Sequence, residues 1–408
     1  MKTSVARLLA AGLALSLLGV ACSDDDPAAE GDEATTTTAA GGSGSSAGDE
    51  AATPLDPERA TAAATTYADL VFTAYDDTVT AATELQEAVD TFVAAPDEAG
   101  LDAAKQAWLD ARDVYGPTEV FRFYDGPIDD PEDGPEGQIN AWPMDEAYVD
   151  YVEDDPDAGI INDAEGTPEI TAEGIVEANE AGGETNISTG WHAIEFLLWG
   201  QDLSDDGPGA RPVTDYTDSP VAERRGAYLS ALAELLVADL TSVRDEWDPE
   251  GGAYREDFLA DPDQAVTNIL RGMGALSAGE LGGERILVAY DTQDQEDEHS
   301  CFSDNTTADV VGNARGILVA YTADWPGVEG TSLSEVVAEV APELDTALRT
   351  SLDETVAAAE ALEPPFDQLL TDDSGREAVR TLGEDLQAQG DVIADLAARL
   401  GYEISLDI

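Results

Sequence analysis

The chain has 408 residues, of which 88 are Asp or Glu and only 18 are Lys or Arg, giving a formal net charge of −70 at neutral pH. That balance excludes nucleic acid as a partner, because phosphate binding needs basic patches; the bulk charge reads as a solvated surface suited to salt or solubility. Of the two cysteines, Cys22 directly follows the leader and Cys301 stands alone in the body, so with Cys22 lipidated no disulfide framework is expected and Cys301 reads as a small buried hydrophobe.

The first element is an export signal. Lys2 and Arg7 precede an apolar run, residues 8–21, that is too short to span a bilayer as a mature helix. The stretch Leu18-Gly19-Val20-Ala21-Cys22 resembles a bacterial lipobox, with Gly19 where such boxes usually carry Leu. Lipidation of Cys22 would hold the protein on the membrane, in the cell envelope, on its periplasmic or cell-surface side; ordinary cleavage after Ala21 is the alternative. Residues 22–55 are Asp, Glu, Ala, Thr, Gly and Ser with almost no large apolar side chain, a composition that reads as a flexible acidic linker.

From residue 56 onward the dominant pattern has the helical period. Asp56-Pro57-Glu58 is a helix start, and Tyr67, Leu70, Val71, Ala74, Thr78, Ala82, Leu85, Val89 and Phe92 form one stripe that Pro96 ends. A second helix carries Leu101, Ala104, Trp108, Ala111 and Tyr115. Gly, Pro and Asp make 124–140 a long loop, a short helix follows Trp142-Pro143-Met144-Asp145, and 154–167 is a second loop. Asn186, Ser188 and Thr189 offer caps for a helix over 190–200, and a longer helix covers 221–247. Pro249-Glu250-Gly251-Gly252 is the best internal boundary. Beyond it, helices are expected over 263–290, 306–325, 332–362 and 375–400, with Ser332 and Glu335 fitting a capping box. Sustained alternation is missing, so the fold class is all-α: two helical-bundle domains, 56–250 and 251–408.

Histidine is scarce in the mature chain, at His192 and His299 alone. On a helix, His192 and Glu195 are three apart and share a face. An imidazole and a carboxylate so placed can ligate one metal ion, form an acid/base pair, or satisfy each other and clamp two helices. His299 lies in Glu296-Asp297-Glu298-His299-Ser300-Cys301. Gly272, Gly274, Gly279, Gly282 and Gly283 fall in one helical pattern although each costs a helix up to ~1 kcal/mol relative to Ala, which implies a neighbouring backbone packed close. Within it Glu280 and Glu284 are four apart and share a face at α-helical spacing. A third group interleaves aromatics with Arg112, Glu119, Arg122, Asn140 and Asp145.

These segments together resemble the imelysin family, most closely its iron-regulated protein A-like branch. The resemblance rests on 190–202 (GWHAIEFLLWGQD, holding Gly190-x-His192-x-x-Glu195), 111–123 (ARDVYGPTEVFRF), 139–146 (INAWPMDE), 279–285 (GELGGER) and 298–306 (EHSCFSDNT), in order from about Leu55 to the C-terminus. It implies an all-helical fold of two bundle-like domains with the His-x-x-Glu helix near their interface, and a role in bacterial iron acquisition or iron response. It also carries a peptidase label, for which the sequence lacks a His-Glu-x-x-His helix.

The reading is a cell-envelope protein that binds a metal ion or small ligand and is linked to iron. His192 and Glu195 are its centre, with Glu119, Asp145, Glu280, Glu284 and His299 as candidate further ligands. Nitrogen and carboxylate donors suit Fe, otherwise Zn or Mn, and no organic cofactor is implied. Expected partners are the membrane, through the anchor, and iron-uptake components; nothing indicates an oligomeric state. The rivals are a metallopeptidase using the same site and an interaction module whose His–Glu pair is a structural clamp.

Overall fold

Asp56 starts the first long helix, Pro57–Ala94: its carboxylate accepts from the Glu58 amide at 2.9 Å, and Pro57 fills the first turn, where its missing N–H costs nothing. The structure is a computed structural model that describes residues 52–163, 169–204, 207–363, 365–406 and 408. Cys22, the export signal and the linker up to residue 51 lie outside the described residues. Among the described residues the fold is all helix and loop, with one isolated bridge, Val152 to Asp155, and no extended strand.

The stripe read from the sequence is the buried face of Pro57–Ala94, where Leu70, Val71, Leu85, Val89 and Phe92 are all sealed from solvent. That face packs against Glu98–Tyr115 and Ala222–Glu246, and the same helix also meets Pro262–Ala275 and Leu333–Val340. Residues Glu50–Ile408 therefore cluster as one unit around one hydrophobic core. The division expected at residue 250 corresponds to a turn between helices, and the elements on its two sides share that core.

Two further expectations change. The helix expected over 332–362 is two helices, Leu333–Val340 and Pro342–Glu360, because Pro342 cannot donate to a continuing ladder. The Ser332–Glu335 capping box is present. The pattern expected as a plain α-helix over 263–290 is α-helical over Pro262–Ala275 and then winds as a π-helix over Leu276–Leu287, a geometry with five-residue hydrogen-bond ladders that is rare and concentrated at functional sites. Only part of the glycine pattern marks close backbone approach: a Cβ on Gly272 would stand 2.6 Å from the Val120 carbonyl oxygen, whereas Gly279 faces the Ile408 side chain.

The helix Thr306–Thr322 crosses to the first half of the chain and packs on the 3-10 segment Gly116–Phe121. The two backbones meet at Gly116 and Gly312, where a Cβ on Gly312 would sit 3.2 Å from the Gly116 Cα. This contact carries Asp309 and Asn313 to Arg112 and Glu119.

Candidate functional site

The helix Gly190–Trp199 is buried on every side. Burial of Trp191, Ile194, Phe196, Leu197 and Leu198 stabilises it by about 1.5–3 kcal/mol per side chain, enough to hold two polar residues in the same helix. Its first residue explains the motif's glycine. Gly190 has φ +82°, and a Cβ there would lie 2.4 Å from the Ile139 carbonyl oxygen and 2.7 Å from that of Gln138. Only glycine lets the helix start against those carbonyls, beside Asn140. Thr189 is the cap residue but makes no side-chain cap bond; its hydroxyl donates to Asn179, while Ser188 and Asn186 donate to the Ile175 and Ala181 carbonyls.

His192 and Glu195 meet as their spacing predicts. Nδ1 of His192 lies 3.0 Å from Oε2 of Glu195, and Oε1 of Glu195 accepts from the Ser303 amide at 2.9 Å and its hydroxyl at 2.6 Å. His299 repeats the arrangement: its Nδ1 lies 2.9 Å from Oδ2 of Asp309. The two imidazole rings stand edge to face with centroids 4.7 Å apart. Both rings are buried, at 1% and 2% exposure, and the Nε2 atom of each has no hydrogen-bond partner.

Burial dominates the charge state of these groups. It pushes both histidines well below the ordinary imidazole value, helped for His192 by His299 and Arg112 and for His299 by Arg285 and Arg112. It pushes the Glu195 carboxyl up to about 8 against the Ser303 hydrogen bonds.

Around the pair lies an arginine network. Arg112, stacked against Trp108, Tyr115 and Trp191, reaches Asp309 at 3.0 Å and donates to Asn140 at 2.7 Å. Glu119 accepts from Arg285 at 2.6 Å, Asn140 at 3.0 Å and Asn313 at 3.2 Å. Burial alone would raise its pKa, but Arg285 above all, then His299 and Arg112, hold it at about 2. A cleft of about 360 Å³ opens beside this network, and His299 is the histidine that reaches it, with Arg122, Asn140, Trp142, Glu280 and Arg285.

Of the seven candidate ligands, the structure brings His192, Glu195 and His299 together. Glu119 lies in the adjoining network with its oxygens taken by Arg285, Asn140 and Asn313. Glu280 is on the cleft wall, paired with Arg285 at 2.8 Å. The π-helix decides this: residues five apart come onto one side, so Glu280 faces Arg285, and Glu284 turns outward to a separate cavity with Leu406 and Ile408. Asp145 is an exposed helix cap that accepts from the Ala147 amide. Among the described residues no group of three or more His, Cys, Asp or Glu side chains is placed to hold a metal ion. Sequence reasoning missed Asp309, Ser303 and Asn313 at the site. The one local signal for them was Asp309 and Asn313 four apart, on one face of their helix.

The family model described as Imelysin, peptidase M75, matches residues 71–393. The chain belongs to the imelysin family. This imelysin is 26% identical over 336 residues to the iron-regulated protein A of Synechococcus elongatus, spanning 79% of this chain and 82% of that protein. Its fold matches the crystal structure of a putative iron-regulated protein A precursor from Parabacteroides distasonis with a TM-score of 0.67 at 21% identity, covering 84% of this chain and 96% of that one. In this imelysin the motif glycine, histidine and glutamate thus have separate jobs: close approach, an open nitrogen, and the carboxylate that orients it.

Proposed function

We propose that this imelysin is a cell-envelope protein of iron handling that takes a divalent metal ion, iron before zinc or manganese, as cargo on the Nε2 atoms of His192 and His299. One observation carries the reading: two buried imidazoles, 4.7 Å apart, each held through Nδ1 by a carboxylate and each with Nε2 unpartnered. A ligating histidine is characteristically oriented by such a carboxylate, and a buried polar atom without a partner is costly unless something binds it. Burial keeps both rings neutral, the form that ligates. The donors present fit a metal ion, with His192 and His299 as ligands and Glu195 and Asp309 as their orienting groups. The iron link is supported by the names of the relatives. The export signal and Cys22 support a lipid tether, with iron-uptake components as partners. The arrangement favours binding over hydrolysis, because cleavage of a peptide needs a held metal with an activated water and a base.

The test is metal analysis and thermal unfolding of the exported protein purified without a histidine tag. Iron(II) raises the melting temperature of wild type; His192→Ala and His299→Ala each abolish the rise while the far-UV spectrum stays helical. Equal metal-induced stabilisation of wild type and both variants would refute the site. For the tether, Cys22→Ser releases the protein from membranes; wild type found wholly soluble with an unmodified N-terminus would refute it.

A further inference from the structure

Two nitrogen donors do not complete the coordination of a first-row metal ion, which takes four to six ligands of N, O or S type. No third His, Cys, Asp or Glu joins them among the described residues. Glu119 and Asp309, two buried carboxylates of the adjoining network, are already held by arginines and asparagines. The remaining ligands therefore come from water or from a molecule that accompanies the ion. The cleft at His299 shows what kind of molecule it can receive.

Arg122 stands on the wall of that cleft with its side chain only 11% exposed. Its Nη2 meets Glu136 at 3.1 Å, and the guanidinium lies over the Phe123 ring at 4.9 Å. Its Nε and Nη1 atoms are buried and have no hydrogen-bond partner; the carboxylates nearest Nη1, on Glu119 and Glu280, stand off at 3.8 and 3.9 Å. A nearly buried guanidinium with two nitrogens that make no hydrogen bond can take a further anionic oxygen at hydrogen-bond distance. Yet the same cleft is rimmed by Glu136, Glu180, Glu184 and Glu280, which repel a free polyanion. A bare cation would leave the Arg122 N–H groups unmet, and a free anion would face four glutamates. A complex that presents its metal to His299 and a carboxylate to Arg122 satisfies both walls.

We propose, resting on the metal reading above, that the cargo enters as a metal–polycarboxylate complex, and that Arg122 recognises a carboxylate group of it. The acid supplies oxygen donors that the protein does not, so His192 and His299 add two nitrogens to an ion already partly coordinated. Carboxylate is favoured over phosphate because each group brings a single charge into an acid-rimmed cleft.

The experiment is calorimetric titration of the full exported chain, untagged and stripped of metal, under anaerobic conditions. Three probes are used: iron(II) alone, citrate alone, and iron(II) with citrate. Wild type binds the iron–citrate complex about tenfold more tightly than iron alone, the equivalent of one charge-assisted hydrogen bond, and does not bind citrate alone. Arg122→Gln removes that advantage and leaves the binding of iron alone unchanged. Arg122→Lys, which keeps the charge and the fold, restores part of it. His299→Ala removes both. If citrate only competes iron away from wild type, or if Arg122→Gln and Arg122→Lys bind the complex as wild type does, the inference is overturned and the metal site stands. Equal enhancement by an iron–pyrophosphate complex would overturn the carboxylate assignment. Failure of wild type to bind in any of the three titrations sinks the metal reading and the inference with it.

Discussion

Glu119→Gln keeps the shape of the buried side chain at the centre of the arginine network and removes its charge. Two routes give the size of the effect. Burial raises the carboxyl, but Arg285, then His299 and Arg112, bring it from an ordinary 4.5 to about 2, a gap that corresponds to ~3 kcal/mol of folding free energy. Removing one partner of a buried ion pair costs about 3–5 kcal/mol, because the guanidinium of Arg285 loses its fully buried partner and keeps only the part-exposed Glu280. The two agree. For a folded body of about 350 residues, with an unfolding entropy of about 2 cal/mol/K per residue, ~3 kcal/mol lowers the melting temperature by ~4 °C. The pH dependence fixes the cause. A depressed folded-state pKa stabilises above the unfolded value of about 4.5, and that contribution is lost as pH falls toward 2. The gap between wild type and variant should therefore be full at pH 7 and close over that window. Urea unfolding followed by far-UV circular dichroism, repeated from pH 7 to pH 3, measures it. A variant within ~0.5 kcal/mol of wild type at pH 7, or a gap that does not narrow on acidification, would refute the reasoning.

Gly190→Ala should destabilise by more than the ~1–3 kcal/mol of backbone strain alone, since its Cβ also strikes two carbonyl oxygens; denaturant midpoints check this, and a neutral result would mean that the helix start can shift. Asp150 is buried between Arg211, at 2.8 Å, and Arg225, at 2.7 Å, so Asp150→Asn should cost about 3–5 kcal/mol in the same assay without changing metal binding. With a net charge of −70, the melting temperature should rise from low to moderate salt as self-repulsion is screened; a steady fall over that range would contradict it.

What the sequence made legible was whatever a single helix encodes. The stripe of Pro57–Ala94, the Ser332 capping box and the meeting of His192 with Glu195 all follow from residues three or four apart. His299 stood out by scarcity, yet its distance from His192 depends on how two remote segments pack. Ser303 carried no local mark, and Asp309 and Asn313 only their spacing of four, because the partners that place them in the site lie 10 to about 200 positions away. Glu284 was assigned to the site by assuming an α-helical period in a segment that winds differently. The split at Pro342 was legible, since proline inside a helical pattern is the standing reason to end it.

The wider winding of Leu276–Leu287 has a consequence for how the site is inherited. An α-helix advances about 100° per residue and a wider turn somewhat less, so a one-residue deletion inside this segment, with the wide winding kept, would swing every later side chain of the helix by close to that angle. Arg285 would leave Glu119, Asn313 and Glu280 together, with none of the four altered. Loss of Gly283 should therefore damage the site far more than Gly283→Ala, whose added Cβ would lie 3.3 Å from the Ala278 carbonyl oxygen. Part of this site is written in the count of residues along the helix, where a length change is felt before any change of residue.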